Sequence, residues 1–201
     1  MELLLIRHAE PIRIGPGEGD GPADPRLTER GRDQADRLAA WLEPEGIGHV
    51  VASPLLRARE TAAPLLRHLD RTAEIDDVLT EYDARADHYI PVEELRVTKD
   101  ERWTAMVEGR WEEFGGEEPS AFRARIVPRI DVIAAAHPGE RVAVVCHGGV
   151  INVYLADVLG IDRLLWFDPA YTSVSRVMVS RHGIRSLVTL NETAHLQGVR
   201  T

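Results

Sequence analysis

The chain has 201 residues, of which 44% are hydrophobic; this fits one domain with a substantial core and argues against global disorder. A net charge of −9 and a pI near 5.4 disfavour nucleic acid or an anionic membrane as partner, because both favour basic surfaces. The single cysteine, Cys146, excludes an intramolecular disulfide and a cysteine metal site. No signal peptide is visible, so a cytoplasmic location is expected.

The first predicted elements alternate between strands and helices. The apolar run at residues 2–7 predicts a buried strand, and Gly- and Pro-rich residues 15–25 predict a loop. Thr28 can cap a helix whose apolar residues recur at helical spacing up to Leu42. GIGHVVAS, residues 46–53, predicts a second strand.

A second helix is predicted to start at Ser53 and Pro54, with proline at its first position, and to continue to Leu69. AEIDDVL, residues 73–79, then predicts a short strand or extended segment. Residues 82–120 differ in character, because they are charged, aromatic and punctuated by Gly and Pro. We expect an inserted cap with one or two helices here, within a single domain over residues 1–201. A plain helical excursion packed on the core is the alternative.

The rest of the chain returns to the alternating pattern. Residues 120–137 predict a helix that Pro128 should kink or split. RVAVVCH, residues 141–147, predicts another apolar strand, after which Gly148 and Gly149 turn the chain. A helix over residues 150–159 and two closing strands, SVSRVMVS and IRSLVTLN, complete the chain. This order predicts an α/β fold: a three-layer α/β/α sandwich with a mostly parallel central sheet and an inserted helical cap.

Charged and titratable side chains follow three of these strands. Arg7 and His8 end the first strand, Arg57 follows the second, and His147 follows RVAVVC. Because ligands bind beyond the carboxyl ends of parallel strands, we expect these groups in one cleft. Arginine forks and helix N-termini bind oxyanions, and a neutral imidazole can act as a nucleophile. The pattern therefore favours an anion with several oxygens, such as a phosphate.

Three segments of the sequence resemble signatures of one family. LIRHAEP, SPLLRARETA and VCHGGVI are similar to those of the histidine phosphatase superfamily, also called the phosphoglycerate mutase-like family. DPRLTERGRDQA resembles its further loop-and-helix element. The resemblance covers the chain from residue 3 to about residue 70 and from about 140 to 180. It implies a histidine-type phosphatase, a phosphoric monoester hydrolase.

The resemblance also implies a role for each matching residue. His8 matches the nucleophile that becomes a phosphohistidine, and Arg7 and Arg57 match the two phosphate-binding arginines. His147 matches the second histidine, which contacts the phosphoryl oxygens. Gly148 stands at a helix start, where its backbone N–H would bind phosphate.

The proton donor of the family is a glutamate or aspartate after the next strand. Glu81, in VLTEYDAR, is the best match. The family usually follows this acid with a glycine and then Trp-Glu-Gly, whereas this chain has EYDARADHYI. Asp83 is therefore the alternative donor. Thr172 and Ser173, in AYTSVSR, resemble a late segment that closes the pocket.

The implied reaction is hydrolysis of a small-molecule phosphomonoester, with inorganic phosphate as product. His8 attacks phosphorus while Glu81 protonates the leaving oxygen, and water then attacks the phosphohistidine. No cofactor or metal is implied, because the arginines supply the charge that magnesium supplies elsewhere. Neither a nucleic acid nor a membrane is expected as a partner, and the oligomeric state is not predicted.

The sequence leaves three alternative functions. A mutase of this family carries an Asn-Glu-Arg-His-Tyr-Gly run, which LTEYDARADHY only distantly resembles, so a phosphatase is favoured. A catalytically inactive phosphate-ligand binding module is disfavoured, because all the matching core residues are present. A metal site formed by His8, His147 and Glu81 is disfavoured by the neighbouring arginines.

Two smaller features carry expectations of their own. Trp103, Met106 and Trp111 could line the cap and favour an apolar or aromatic leaving group, or they could form the cap's own core. Cys146 precedes His147 on a strand, so its side chain should point away from a cleft-facing His147. We therefore expect a buried structural thiol there and no nucleophile.

Overall fold

The structure is a computed structural model, and it describes residues 1–197. A six-stranded sheet with the order β3-β2-β4-β1-β5-β6 forms its centre. The strands are β1 (Glu2–Arg7), β2 (His49–Ala52), β3 (Glu74–Ile75), β4 (Arg141–Cys146), β5 (Val174–Val179) and β6 (Arg185–Glu192). Strands β3, β2, β4 and β1 pair in parallel, and β5 and β6 add antiparallel pairs, so the predicted mostly parallel sheet is confirmed.

Within residues 1–197, six α-helices and several short 3₁₀ helices surround the sheet. The α-helices are α1 (Glu29–Leu42), α2 (Leu56–Leu69), α3 (Val92–Thr98), α4 (Glu101–Glu108), α5 (Pro119–Ala136) and α6 (Gly148–Leu159). The 3₁₀ helices are Glu43–Glu45, Asp77–Leu79, Trp111–Phe114 and Ala194–Leu196. Within residues 1–197, none of the helices is long and apolar enough to cross a membrane.

The helices cover both faces of the sheet. Leu4 and Ile6 of β1 pack in one buried cluster with residues of α1 and α2. Leu3 and Leu5 of the same strand pack in a second cluster with residues of α5 and α6. This division follows from the strand geometry, in which successive side chains point to opposite faces. The predicted three-layer α/β/α sandwich is therefore confirmed.

The strand register brings the predicted site residues to one edge of the sheet. Parallel pairing of β1 with β4 places Arg7 opposite Cys146, so the next residues, His8 and His147, leave the sheet side by side. The His8 backbone N–H donates to the Cys146 carbonyl at 2.9 Å. Ser53, which follows β2, reaches the same edge through the pairing of β2 with β4.

The predicted start of the second helix was wrong. Helix α2 begins at Leu56, whereas Ser53 and Pro54 were expected to start it. The Leu56 N–H donates to the Asp24 carboxylate at 2.8 Å, so a residue of the loop between β1 and α1 supplies the cap. The Ser53 hydroxyl is instead buried and lies 2.7 Å from Nε2 of His147.

Two further expectations about helices need correction. Helix α6 begins at Gly148, so both glycines belong to its first turn and do not form a separate turn before it. Helix α5 is not split at Pro128. Pro128 lies on the exposed side of α5, while Phe122 and Ile126 bury the opposite side. Burial of that face outweighs the one backbone hydrogen bond that proline removes.

Residues 82–120 leave the core and return to it at one point, where the Glu117 N–H donates to the Tyr82 carbonyl at 2.8 Å. The segment contains α3 and α4, in agreement with the expected one or two helices. Trp111 is buried, and its ring centroid lies 4.4 Å from that of Tyr82 and 5.6 Å from that of Phe122. Trp111 therefore belongs to the main hydrophobic core, in the cluster that also contains Leu5 and Ile126.

Candidate active site

A cavity of about 330 Å³ opens at the edge of the sheet where the parallel strands end, a volume typical of small-molecule sites. Its lining includes most of the predicted site residues: Arg7, His8, Arg57, Glu81 and Gly148, together with the alternative acid Asp83. Of the predicted site residues, His147 is not part of that lining. It is fully buried, and its ring centroid lies 5.2 Å from that of His8.

The His8 imidazole is buried and held in one tautomer. Its Nδ1 lies 2.8 Å from the Ala9 carbonyl oxygen. Because a carbonyl oxygen only accepts, we assign the proton to Nδ1, which leaves the Nε2 lone pair free. Burial, and then the positive charges of Arg57 and Arg7, hold the pKa of His8 well below its usual value. His8 therefore presents a neutral nitrogen that can act as a nucleophile.

The loop after His8 is fixed by two neighbouring helices. The Ala9 N–H donates to the Thr61 hydroxyl at 2.8 Å, and that hydroxyl donates to the Arg57 carbonyl at 2.6 Å. On the other side, a Cβ on Gly31 of α1 would lie 2.1 Å from the Glu10 carbonyl oxygen. Glycine is required at 31 because the loop approaches α1 so closely.

The Arg57 guanidinium is buried without a full set of partners. Only 1% of the residue is exposed, and its Nε and Nη1 have no hydrogen-bond acceptor within residues 1–197. The nearest carboxylate, that of Asp24, lies 3.9 Å from Nη1, and the Tyr89 ring centroid lies 4.8 Å from Cζ. Buried cationic N–H groups are costly without an acceptor, so this arrangement suits an anionic ligand.

Arg7 is anchored on one side and open on the other. Its Nη1 donates to the Glu93 carboxylate at 2.8 Å and also to the Pro169 carbonyl. The Tyr171 ring centroid lies 4.1 Å from its Cζ, and the Tyr171 hydroxyl donates to Glu93 at 3.1 Å. The buried Nε of Arg7 has no partner within the described chain. Nε is therefore available to a ligand oxygen while the rest of the guanidinium stays in place.

His147 is also neutral and has one unpartnered nitrogen. Burial, and then the charge of Arg57, lower its pKa well below the usual value. Its Nε2 lies 2.7 Å from the Ser53 hydroxyl, whereas Nδ1 is buried without a partner within residues 1–197. We assign the Ser53 hydroxyl as the donor to Nε2, which places the proton of the neutral ring on Nδ1.

Glu81 is held at the start of α6. Its carboxylate accepts hydrogen bonds from the Gly149 N–H at 2.8 Å and from the Tyr82 N–H at 3.1 Å. Burial, and then the charge of Asp83, raise the pKa of Glu81 to about 7. Burial also raises the pKa of Asp83. A Cβ at Gly149 would lie 2.3 Å from Glu81 Oε1, so only glycine leaves room for this carboxylate.

Thr172 and Ser173 hold the backbone just before His8 in place. The Thr172 N–H donates to the Arg7 carbonyl at 3.1 Å, and the Ser173 carbonyl accepts the Arg7 N–H at 3.2 Å. Thr172 has a φ of +56°, which is strained for a β-branched residue. The strained turn places Tyr171 against Arg7. His195 Nε2 lies 2.9 Å from the Thr172 hydroxyl and braces this turn.

Two other features of the region bear on its chemistry. Cys146 is buried in the core, and burial raises the pKa of its thiol, so the predicted structural role is confirmed. Within the part of the chain that the structure describes, no three His, Cys, Asp or Glu side chains come together as a metal-ligand set.

The sequence did not predict several residues that position the site. Thr61 lies within SPLLRARETA at helical spacing from Arg57. Its position on the same helix face could therefore have been predicted from the sequence. Glu93 and Tyr171 are distant in sequence from Arg7 and from each other. No local pattern links them, because the contact exists only once α3 packs against the turn before β5.

An α/β/α sandwich with buried arginines and a neutral imidazole at the carboxyl edge of its sheet defines a phosphoryl-transfer enzyme. The sequence profile of the histidine phosphatase superfamily (branch 1) matches residues 3–193, so the chain belongs to that family. The predicted family and the predicted enzyme class, a histidine-type phosphatase, are thus confirmed.

Individual relatives match over most of their length. A probable phosphatase of Schizosaccharomyces pombe is 29% identical over 212 residues, covering 100% of this chain and 98% of the relative. A probable phosphoglycerate mutase of Erwinia tasmaniensis is 27% identical over 165 residues, covering 80% and 76%. A phosphoserine phosphatase mutant of Entamoeba histolytica, solved with phosphoserine, has a TM-score of 0.75 at 21% identity, covering 97% of this chain and 98% of that one. The last likeness concerns the fold alone.

Proposed function

We propose that this enzyme hydrolyses small-molecule phosphomonoesters through a phosphohistidine on His8, without a metal ion. One observation carries the proposal. The free Nε2 of His8 is fixed by the bond from Nδ1 to Ala9 and lies beside two buried arginines with unpartnered N–H groups. A neutral nucleophile next to preformed donors for an oxyanion is what phosphoryl transfer needs.

In the first half-reaction the phosphoryl group binds among these donors. Its oxygens accept hydrogen bonds from Arg57, from Nε of Arg7 and from the backbone N–H of Gly148, while Nδ1–H of His147 supplies another donor. His8 Nε2 then forms a bond to phosphorus as the bond to the leaving oxygen breaks. Glu81 gives its proton to that oxygen, so the alcohol leaves uncharged.

In the second half-reaction water replaces the alcohol. The ionised Glu81 takes a proton from the water, whose oxygen attacks phosphorus and breaks the bond to His8. Inorganic phosphate is released, and both Glu81 and His8 return to their starting states. A Glu81 pKa of about 7 suits this double role, because the carboxyl group must both give and take a proton near neutral pH.

One assay distinguishes the proposed phosphatase from a mutase and from an inactive binding module. A mutase would return the phosphoryl group to a second oxygen of the substrate, and a binding module would release nothing. We therefore expect phosphate release from a panel of phosphomonoesters in excess EDTA, at the rate seen without chelator. Interconversion of 2- and 3-phosphoglycerate is measured in the same samples. Interconversion without phosphate release would favour the mutase, and loss of turnover in EDTA would contradict the metal-free mechanism.

The geometry at Gly149 gives a second prediction. We expect Gly149→Ala to lower kcat/KM by about 10²-fold, because the new Cβ would displace the Glu81 carboxylate, and a shift of about 1 Å at a catalytic group has effects of this size. Gly21→Ala is the comparison, since a Cβ there meets no atom within 4 Å. Initial rates for both variants decide the matter. Equal losses in the two would show that the Glu81 contact is not the reason.

A further inference from the structure

The cavity has two apolar walls that come from separate parts of the chain. Trp103, Met106 and Phe114 of the 82–120 segment line one wall, and Leu165, Trp166 and Phe167 of the loop after α6 line the other. The Trp166 and Phe167 ring centroids lie 4.6 Å apart. All six side chains are partly exposed, so they are available to a ligand. An apolar surface of this kind at the mouth of a polar site is typical of a binding pocket.

A single buried amide holds the second wall. Asn152 of α6 accepts the Trp166 and Phe167 N–H groups on Oδ1, at 3.0 and 3.2 Å. Its Nδ2 donates to the Gly148 carbonyl at 3.0 Å and to the Phe167 carbonyl at 3.1 Å. Two donors and two acceptor positions are thus all used, which is the full capacity of an asparagine side chain. Asn152 therefore links the wall directly to the first turn of the helix that carries Gly148 and Gly149.

The charges in the lining are mostly neutralised by neighbours. Arg102 pairs with Asp100 at 2.6 Å, Arg110 with Glu108 at 2.9 Å, and Asp168 with Arg96 at 2.9 Å. Exposed Arg163 and the alternative acid Asp83 are the exceptions, because neither makes an ion pair within residues 1–197. Beyond the phosphate donors, the walls therefore offer a ligand mainly apolar and aromatic surface.

We propose that this pocket selects phosphomonoesters whose leaving group is a flat, apolar or aryl alcohol, and that Asn152 is the residue that positions its second wall. The proposal rests on the function proposed above and names the substrate class of the same site. It also treats residues 82–120 as a cap on the cleft, whose contribution to the site is the first wall. Stacking of an aromatic leaving group against Trp103 or Trp166 removes apolar surface from water at both partners.

The two-step mechanism predicts which kinetic constant such a substrate preference changes. The alcohol leaves in the first half-reaction, and the phosphohistidine that remains is the same for every substrate. Wall contacts therefore change kcat/KM, whereas the rate of hydrolysis of the phosphoenzyme does not depend on them. A variant that lowers kcat/KM but leaves the hydrolysis rate of the phosphoenzyme unchanged has therefore lost wall contacts, because a general loss of folding would lower both.

The test compares 2-(1-naphthyl)ethyl phosphate with glycerol 2-phosphate and 3-phosphoglycerate, so that every leaving oxygen belongs to an alkyl alcohol of similar acidity. We expect kcat/KM to be at least about tenfold higher for the naphthyl ester than for either polar ester, since transfer of an aromatic ring from water is worth at least this factor. Equal values would overturn the proposal. A preference for 3-phosphoglycerate that disappears in Arg163→Gln would also overturn it and would assign a distal anion site to Arg163. Failure of every ester to label a histidine would instead contradict the proposed function itself.

Variants then test each wall. Trp166→Ala and Trp103→Ala should each lower kcat/KM for the naphthyl ester several-fold and change that for glycerol 2-phosphate less than twofold. Asn152→Asp keeps the shape but loses the two donors, and we expect the same selective loss. The control is Val132→Ala, an exposed position on α5. If Asn152→Asp lowers kcat/KM equally for both esters, Asn152 supports α6 in general and does not position the wall. If Asn152→Asp lowers neither value, Asn152 has no role in the site.

Discussion

Replacement of His8 by alanine is expected to lower the rate of phosphate release by at least about 10⁴-fold, because the variant has no atom that can form the covalent intermediate. The arginines and His147 would still bind the ester, so KM should change far less than kcat. Initial rates of phosphate release and acid-labile, alkali-stable labelling by a ³²P-phosphoryl ester measure the two consequences. Both the turnover and the label should disappear together.

His182→Ala is the matched control for this change. His182 is exposed, lies in the turn between β5 and β6, and should retain full turnover and label. A thermal unfolding curve for His8→Ala checks that the buried site tolerates the smaller side chain. Turnover within tenfold of the wild type, in a folded variant, would rule out His8 as the nucleophile.

Replacement of Glu81 by glutamine is expected to lower kcat/KM by about 10²- to 10⁴-fold for alkyl phosphates, the usual contribution of a general acid. Glutamine keeps an oxygen that can accept from the Gly149 N–H, but it has no carboxyl proton to give. The loss should be smaller for an aryl ester, whose leaving oxygen is more acidic and needs less help from a proton.

The pH profile distinguishes Glu81 from its neighbour. Because the pKa of Glu81 is raised to about 7, the acid form is present below that pH, and wild-type kcat/KM should fall as the pH rises through it. Glu81→Gln should flatten that alkaline limb. Asp83→Asn removes a negative charge that raises the pKa of Glu81, so it should move the limb to lower pH while activity persists. Abolished activity in Asp83→Asn with an active Glu81→Gln would assign the donor to Asp83.

The position of the reactive groups could be predicted because it depends on a regular feature. Arg7, His8 and His147 follow apolar strands, and parallel pairing brings the carboxyl ends of such strands together. The start of α2 could not be predicted in this way. Its cap comes from Asp24, across a loop, and Ser53 bonds to His147, so local helix rules did not apply.

The second wall of the pocket could not be predicted from the sequence either, because it also depends on contacts between distant residues. Asn152 lies in an apolar helix, where a lone amide could equally satisfy another buried group. Its four partners become known only when the loop of Trp166 and Phe167 folds back on α6. Tyr171 and Glu93 likewise meet Arg7 through tertiary packing alone.

The strand that precedes His8 lies in the middle of the sheet between β4 and β5, both of which come much later in the chain. The Met1 ammonium donates to the Val179 carbonyl, 178 residues away, and Glu2 bonds to Arg141, 139 residues away. At about 5–20 residues per second, a ribosome needs on the order of 10–40 s to supply these partners. The nascent apolar strand must stay unpaired for that time, so folding of this enzyme during translation depends on keeping β1 from aggregating.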